Sequence, residues 1–192
     1  MKNKSRCIWA TGDPLNMVYH DHEWGVPNYD NRVLFEFLIL EGAQAGLNWL
    51  TVLKKRENYR ECFDQFDPEK IASYGKRKIN SLLKNPGIIR NELKVNAAVK
   101  NAQAYLDLHE EWDDFSSYIW HFVDDKPIQN KWKQPQEVPD KTNISELMSK
   151  DLKKRGFKFV GSTICYAYMQ AVGMVNDHLI SCFRYGEVKK KF

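Results

Sequence analysis

The sequence predicts an all-α fold. Three observations carry this: apolar residues recur at helical spacing along most of the chain, most of these stretches open on a residue able to cap a helix, and no repeats or convincing strand pairs appear. Asp30 can cap a helix carrying VLFEFLIL (33–40). After the punctuation of Gly42 and Gly46, Asn48 can cap another through WLTVLKKRENYRECF. In FDPEKIASY, Asp67 and Pro68 supply a cap and a first-turn proline. KRKINSLLKN stops at Pro86 and Gly87, and the chain resumes as IIRNELKVNAAVKNAQAYLDL, where Ile89, Leu93, Ala97 and Val99 keep helical spacing. A short apolar helix follows in FSSYIWHFV. From 124 to 142 the chain is polar, carries Pro127, Pro135 and Pro139, and reads as a long surface connection. Asn143 with Glu146 resembles a capping box opening ISELMSKDLKKR, which ends at Gly156. TICYAYMQAVGM is apolar almost all round, so a central buried helix is expected there.

A chain of 192 residues is long enough to bury a sizeable core as one domain, 1–192, of two small lobes, with the polar connection at about 124–143 as the lobe boundary. No secretory signal or transit peptide is apparent in MKNKSRCIWATGDP, and the longest apolar run contains Glu36 and is too short to span a bilayer. A soluble, cytoplasmic protein with no membrane partner is expected. In that reducing compartment Cys7, Cys62, Cys165 and Cys182 read as thiols or metal ligands, not disulfides. The net charge of +4 is modest, but the positive charge is bunched at 54–56, 76–78, 153–155 and 189–191. Such bunching suits either solvated helix faces or nucleic acid.

Three constellations carry chemistry. In VNDHLISCF, His178 and Cys182 are four residues apart, which on a helix places imidazole and thiol on one face. Cys7 and His20 near the start would complete a Cys₂His₂ set suited to closed, tetrahedral, structural zinc. The alternative is four unrelated core or surface residues. LLKNPGIIRNELKVNAAV offers a helix, a Pro-Gly turn and a second helix, with Lys84, Arg90 and Lys94 around it. In a helix-hairpin-helix, here about 79–99, glycine permits turn angles other residues resist, and amides at the second helix's start can hold a phosphate. An ordinary helical corner is the other reading. Finally, Glu41 shares a helical stripe with Leu34, Phe37 and Leu38, which points to a buried carboxylate, while Tyr19, Trp24 and Trp49 lie in flanking motifs. A buried acid amid aromatics describes a pocket that stacks a flat cationic base. A glutamate bending out to water at the helix end is the alternative.

YHDHEWGVP, LEGAQAGLNWLTVLKKRENYRECFDQFDP, PGIIRN and LKKRGFKFVGSTICYAYMQAVGMVNDH, in this order, resemble the 3-methyladenine DNA glycosylase I family over most of the chain. The resemblance implies a helix-hairpin-helix glycosylase fold and one zinc bound by Cys7, His20, His178 and Cys182, joining the N- and C-terminal segments. It implies a base pocket of Glu41, Tyr19 and Trp49, with Trp24 beside them, and DNA contact through Gly87, Ile88 and Arg90. Asn16 stands where the family carries a tyrosine. The family lacks the catalytic aspartate that many helix-hairpin-helix glycosylases carry after the hairpin, so no catalytic residue is assigned; Asp107 is not taken as one.

The implied activity is base-excision repair: a monomeric enzyme acting on double-stranded DNA that contains 3-methyladenine. N3-methylation makes the adenine cationic, so the leaving base needs no protonation. No lysine is placed for a Schiff base, and release without strand cleavage is expected. A zinc-stabilised DNA-binding module without activity and a glycosylase for a different lesion are the rivals; a buried Glu41 argues against the first.

Overall fold

The computed structural model describes residues 4–190, so Met1–Asn3 of the basic start and Lys191 of the last basic run lie outside the described residues. Among the described residues there are eleven α-helices, short 3₁₀ turns and a single two-stranded β contact. Among the described residues no helix is long and apolar enough to cross a membrane. Helix α1 (Pro14–His22) is capped by Asp13, whose side chain accepts from the Leu15 amide. Helix α2 (Asn31–Gln44) is capped by Asp30, as its sequence predicts, through the amides of Arg32 and Val33 at 2.9 Å. Asn48 caps α3 (Trp49–Leu53), but the expected single helix breaks at Lys54 and Lys55 before α4 (Arg56–Cys62). Past the break, the Lys55 ammonium donates to the Pro86 carbonyl at 2.6 Å and ties this corner to the hairpin.

Asp67 and Pro68 open α5 (Pro68–Ala72), and α6 (Lys76–Lys84) and α7 (Glu92–Asp107) flank the Pro-Gly turn. Asn91 caps α7 through the Lys94 amide, so Ile88, Ile89 and Arg90 belong to the turn. The buried stripe of α7 is accordingly Val95, Ala98, Val99 and Ala102, and Leu93 is exposed. Helix α8 (Phe115–Trp120) follows, then the polar connection, α9 (Asn143–Lys154), α10 (Ser162–Ala171) and α11 (Phe183–Lys189). The α9 capping box is Thr142 with Ser145, one residue earlier than expected, because Glu146 turns to Lys141 at 2.6 Å.

The most enclosed helix is α2, buried at every residue from Leu34 to Ala43. It packs against α10 and α8, and α10 packs on α9. Leu34, Phe35, Leu38 and Leu40 meet Tyr118, Trp120, Tyr168 and Met169 in one continuous core. Each such large apolar side chain contributes roughly 1.5–3 kcal/mol on full burial. Helix α10 was expected at the centre, yet Thr163, Ala167 and Gln170 are not buried. They share one stripe, and that stripe faces a cavity.

The chain's two ends are stitched together. The Gly25 and Asn28 amides donate to the Gln170 and Val172 carbonyls, and the Phe183 amide to Ser5. Gly173 has φ +78°, and a Cβ there would overlap the Val26 and Pro27 backbone, so only glycine permits this approach. β1 (Ile128–Gln129) pairs in parallel with β2 (Val175–Asn176), Ile128 opposite Val175, docking the polar connection onto the C-terminal segment. Two residues are too few for a strand period to be read in sequence.

Candidate active site and metal centre

Four helices, the polar connection and the two terminal segments at 7–9 and 177–179 surround a cavity of about 680 Å³. Helical spacing selects the contributors: Asn16 and Tyr19 of α1, Glu41 and Gln44 of α2, Trp49 and Leu50 of α3, and Thr163, Tyr166, Ala167 and Gln170 of α10. Trp24, the fourth residue of the predicted pocket, lines it as well. Tyr19 and Trp49 rings lie 5.1 Å apart, and Phe37 stacks behind Trp49 at 6.4 Å.

Glu36 and Glu41 are both buried on α2, and their surroundings differ sharply. Glu36 accepts from Arg56 Nε at 2.5 Å and pairs with Arg60 at 2.9 Å. Arg56 also pairs with Glu23 at 2.6 Å and lies 4.8 Å from the centre of the Phe37 ring. Glu41, only 3% exposed, has no cation, and its Oε2 has no hydrogen-bond partner. Burial pushes its carboxyl up to about 8. Burial, followed by the Glu41 charge, holds the Tyr19 phenol well above its ordinary value. Trp49 Nε1 and Asn16 Oδ1 are likewise buried without partners. Three side chains of one cavity wall therefore carry unmatched polar atoms, which native interiors rarely tolerate without a ligand. Three carboxylates line the cavity, Glu41, Asp140 and Asp177, and no Lys or Arg does, in a chain of net charge +4. Such a wall suits a flat cation.

Cys7, His20, His178 and Cys182 are all buried, and their donor atoms lie within 4.8 Å of one another. His178 and Cys182 are not on a helix as their spacing suggested. They flank a turn after β2, and Cys182 is the residue before α11. His20 Nε2 faces the Cys182 sulfur at 3.4 Å, while its Nδ1 meets Asp21 at 2.8 Å, and Arg6 holds Asp21 at 2.7 Å. His178 Nδ1 faces both sulfurs, at 3.8 and 3.7 Å, and its Nε2–H donates to the Trp24 carbonyl at 3.0 Å. Outer partners that fix both imidazoles are what a metal ligand set requires. Burial pushes His178 down, toward the neutral form that ligates. Hydrogen bonding from the Cys7 thiol, with help from both histidines, pulls Cys182 down, and the same contact and burial push Cys7 up. A dication bound there would let both sulfurs ionise. These residues could hold a metal ion that joins the two chain ends.

A family model for methyladenine glycosylase matches residues 9–185. The chain belongs to the methyladenine glycosylase family. Over 180 residues it is 51% identical to DNA-3-methyladenine glycosylase 1 of Escherichia coli (strain K12), covering 94% of this chain and 96% of that one. It is 51% identical over 178 residues to DNA-3-methyladenine glycosylase of Haemophilus influenzae, covering 93% and 96%. A crystal structure of 3-methyladenine DNA glycosylase I superposes with a TM-score of 0.91 at 51% identity, covering 93% of this chain and 98% of that chain. A Staphylococcus aureus 3-methyladenine DNA glycosylase I, solved for the structural basis of 3-methyladenine recognition, gives 0.90 at 38% identity, covering 93% and 95%.

The methyladenine glycosylase hairpin places Gly87 and Ile88 in the turn, with Arg90 exposed beside it. Gly87 does not take a positive φ; a Cβ there would stand 2.8 Å from Asn58, so close approach is what requires glycine. Its amide donates to Asn85 Oδ1 at 2.7 Å, and the Ile88 side chain is buried. Lys94, read in sequence as part of the basic surround, is already engaged: its ammonium donates to the Ala43 and Ala45 carbonyls at 2.8 and 2.7 Å. Sequence reasoning missed Trp9, whose ring packs edge-on against Trp24 at 5.0 Å in the cavity wall, though its place two residues after Cys7 was a signal. It also missed Asp177, which accepts from Asn130, Trp132, Tyr166 and Gln170.

Proposed function

We propose that the chain excises 3-methyladenine from double-stranded alkylated DNA by hydrolysing the N-glycosidic bond, releasing the free base and leaving the strand uncut. The carrying observation is the cavity wall, with aromatic rings, three carboxylates and no basic side chain. In DNA the methylated base is a cation, whereas normal adenine is neutral. Extrusion of the nucleotide costs roughly a few kcal/mol, offset by stacking on Tyr19 and Trp49 and by attraction to Glu41. Water adds to the sugar C1′, the C1′–N9 electron pair stays with the base and cancels its charge, and the water's proton leaves to solvent. Glu41 therefore binds and orients the cationic base while it is still bonded to the sugar, with Trp24 closing the wall between pocket and metal cluster.

The Cys₂His₂ set takes zinc, which needs no open coordination position and serves as a clasp. The protein acts as a monomer of two lobes, and the hairpin meets a phosphate at the turn of Gly87 and Ile88, where the phosphate takes over the Gly87 amide from Asn85 and Arg90 adds charge. Gly87→Val is expected to displace the turn and weaken binding to all DNA sequences alike, by roughly 1.5–3 kcal/mol, as for a hydrogen bond to a charged group. Titrating several duplexes across salt checks it; an unchanged affinity and salt slope would show the hairpin to be only a corner. For the activity itself, the protein is incubated with methylated DNA and the released bases are identified. Free 3-methyladenine from an intact strand is expected, and binding without release would favour a DNA-binding module.

A further inference from the structure

Asn16 sits in the first turn of α1, one turn before Tyr19 and on the cavity side. Capping does not explain it, because Asp13 already caps this helix. Asn31, Asn91, Asn101 and Asn176 all use their side chains in hydrogen bonds within the protein. Asn16 is different: its Oδ1 is buried without a partner, on the same wall as the unmatched Glu41 Oε2 and Trp49 Nε1. An amide oxygen left in that state is costly until water or a ligand in the cavity completes it, and a ligand that displaces the water must replace its hydrogen bond.

We infer that Asn16 is a specificity-determining residue whose carboxamide hydrogen-bonds the N6/N7 edge of the bound adenine. The inference rests on the base-pocket reading above. A carboxamide carries an acceptor and a donor side by side, and adenine offers their complement, an amino donor at N6 and an acceptor at N7. Guanine presents acceptors at both O6 and N7, which would set the Asn16 oxygen against a lone pair. Glu41 supplies charge and a further acceptor for the amino group. The two side chains thus divide the work: Glu41 favours a cationic base, and Asn16 favours adenine over guanine.

The test measures free-base affinity by calorimetry for the full chain and for Asn16→Leu, which keeps similar bulk and removes the polar atoms. Three bases are compared: 3-methyladenine, 3-methylguanine and 7-deaza-3-methyladenine, which lacks the N7 acceptor. The variant is expected to bind 3-methyladenine about tenfold more weakly, the change of one hydrogen bond. Its preference over 3-methylguanine should fall by a similar factor, and the penalty that the parent shows for the 7-deaza base should disappear. Melting temperature and metal content should match the parent; if Asn16→Leu melts lower, Asn16→Ala is held to the same criteria. Equal affinity in parent and variant, or an equal loss for all three bases, would overturn the inference and leave the pocket reading standing. A parent that does not bind 3-methyladenine at all would overturn both.

Discussion

Cys182→Ser is expected to destabilise the protein by roughly 4 kcal/mol, the scale on which a cross-link closing a very long loop contributes. His20 and Cys182 are 162 residues apart and meet in this cluster, with backbone bonds and the Phe183 ring beside it. The serine hydroxyl is a poor replacement for a thiolate, so Cys7, His20 and His178 would remain as an incomplete set of buried donors. For a chain of this size the loss corresponds to a melting temperature lower by about 10 °C. A chelator should bring the parent down to the variant's melting temperature and do little to the variant itself. Metal analysis and circular-dichroism melting with and without chelator check both points. Protein purified without chelator that contains no zinc, or a variant that melts with the parent, would remove the clasp.

Local chemistry was what the sequence exposed. Asp30, Asn48 and Asp67 could be read as caps because a cap depends on residues two or three positions away. The burial of Glu41 was legible for a similar reason, since its stripe of Leu34, Phe37 and Leu38 lies within two helical turns. Contacts across the chain were not legible. The stretch from 124 to 142 reads as a surface connection, yet Pro135, Val138 and Pro139 line the cavity. What holds them there is Asp177, which accepts from Asn130 at 2.7 Å and Trp132 at 2.8 Å. Nothing in the local pattern of either segment announces that pairing. His178 and Cys182 were grouped by helical spacing and do share a site, but a turn brings them together. Nor does sequence show which basic residues are free, because Lys55, Arg56 and Lys94 are spent on the protein's own carbonyls and carboxylates.

Glu41→Gln should slow excision of 3-methyladenine by on the order of 1–3 kcal/mol, the loss of a charged hydrogen bond, and the deficit should depend on pH. Burial raises the Glu41 carboxyl from an ordinary value of 4.5 to about 8, so near pH 6 the free protein carries it largely neutral. A neutral acid resembles the glutamine, and the two proteins should differ least there. Above pH 8 the carboxylate is the resting form, its attraction for the cationic base is complete, and the deficit should reach its full size. Single-turnover rates at subsaturating protein, which report the free enzyme, should rise in the parent through pH 7 to 8 and level off, while those of Glu41→Gln stay flat over that range. Stability should move the other way. A carboxyl raised on folding contributes stability that is complete below pH 4.5 and is lost as the pH passes through 8, so the parent should soften relative to Glu41→Gln at high pH. Glu41→Ala should cost excision at least as much as the glutamine does, with metal content intact in both. Rates and melting temperatures from pH 6 to 9 test the whole scheme. Parallel pH profiles for parent and glutamine variant would mean that Glu41 never meets the base as an anion, and that the affinity for a cation comes from the rings and from Asp140 and Asp177.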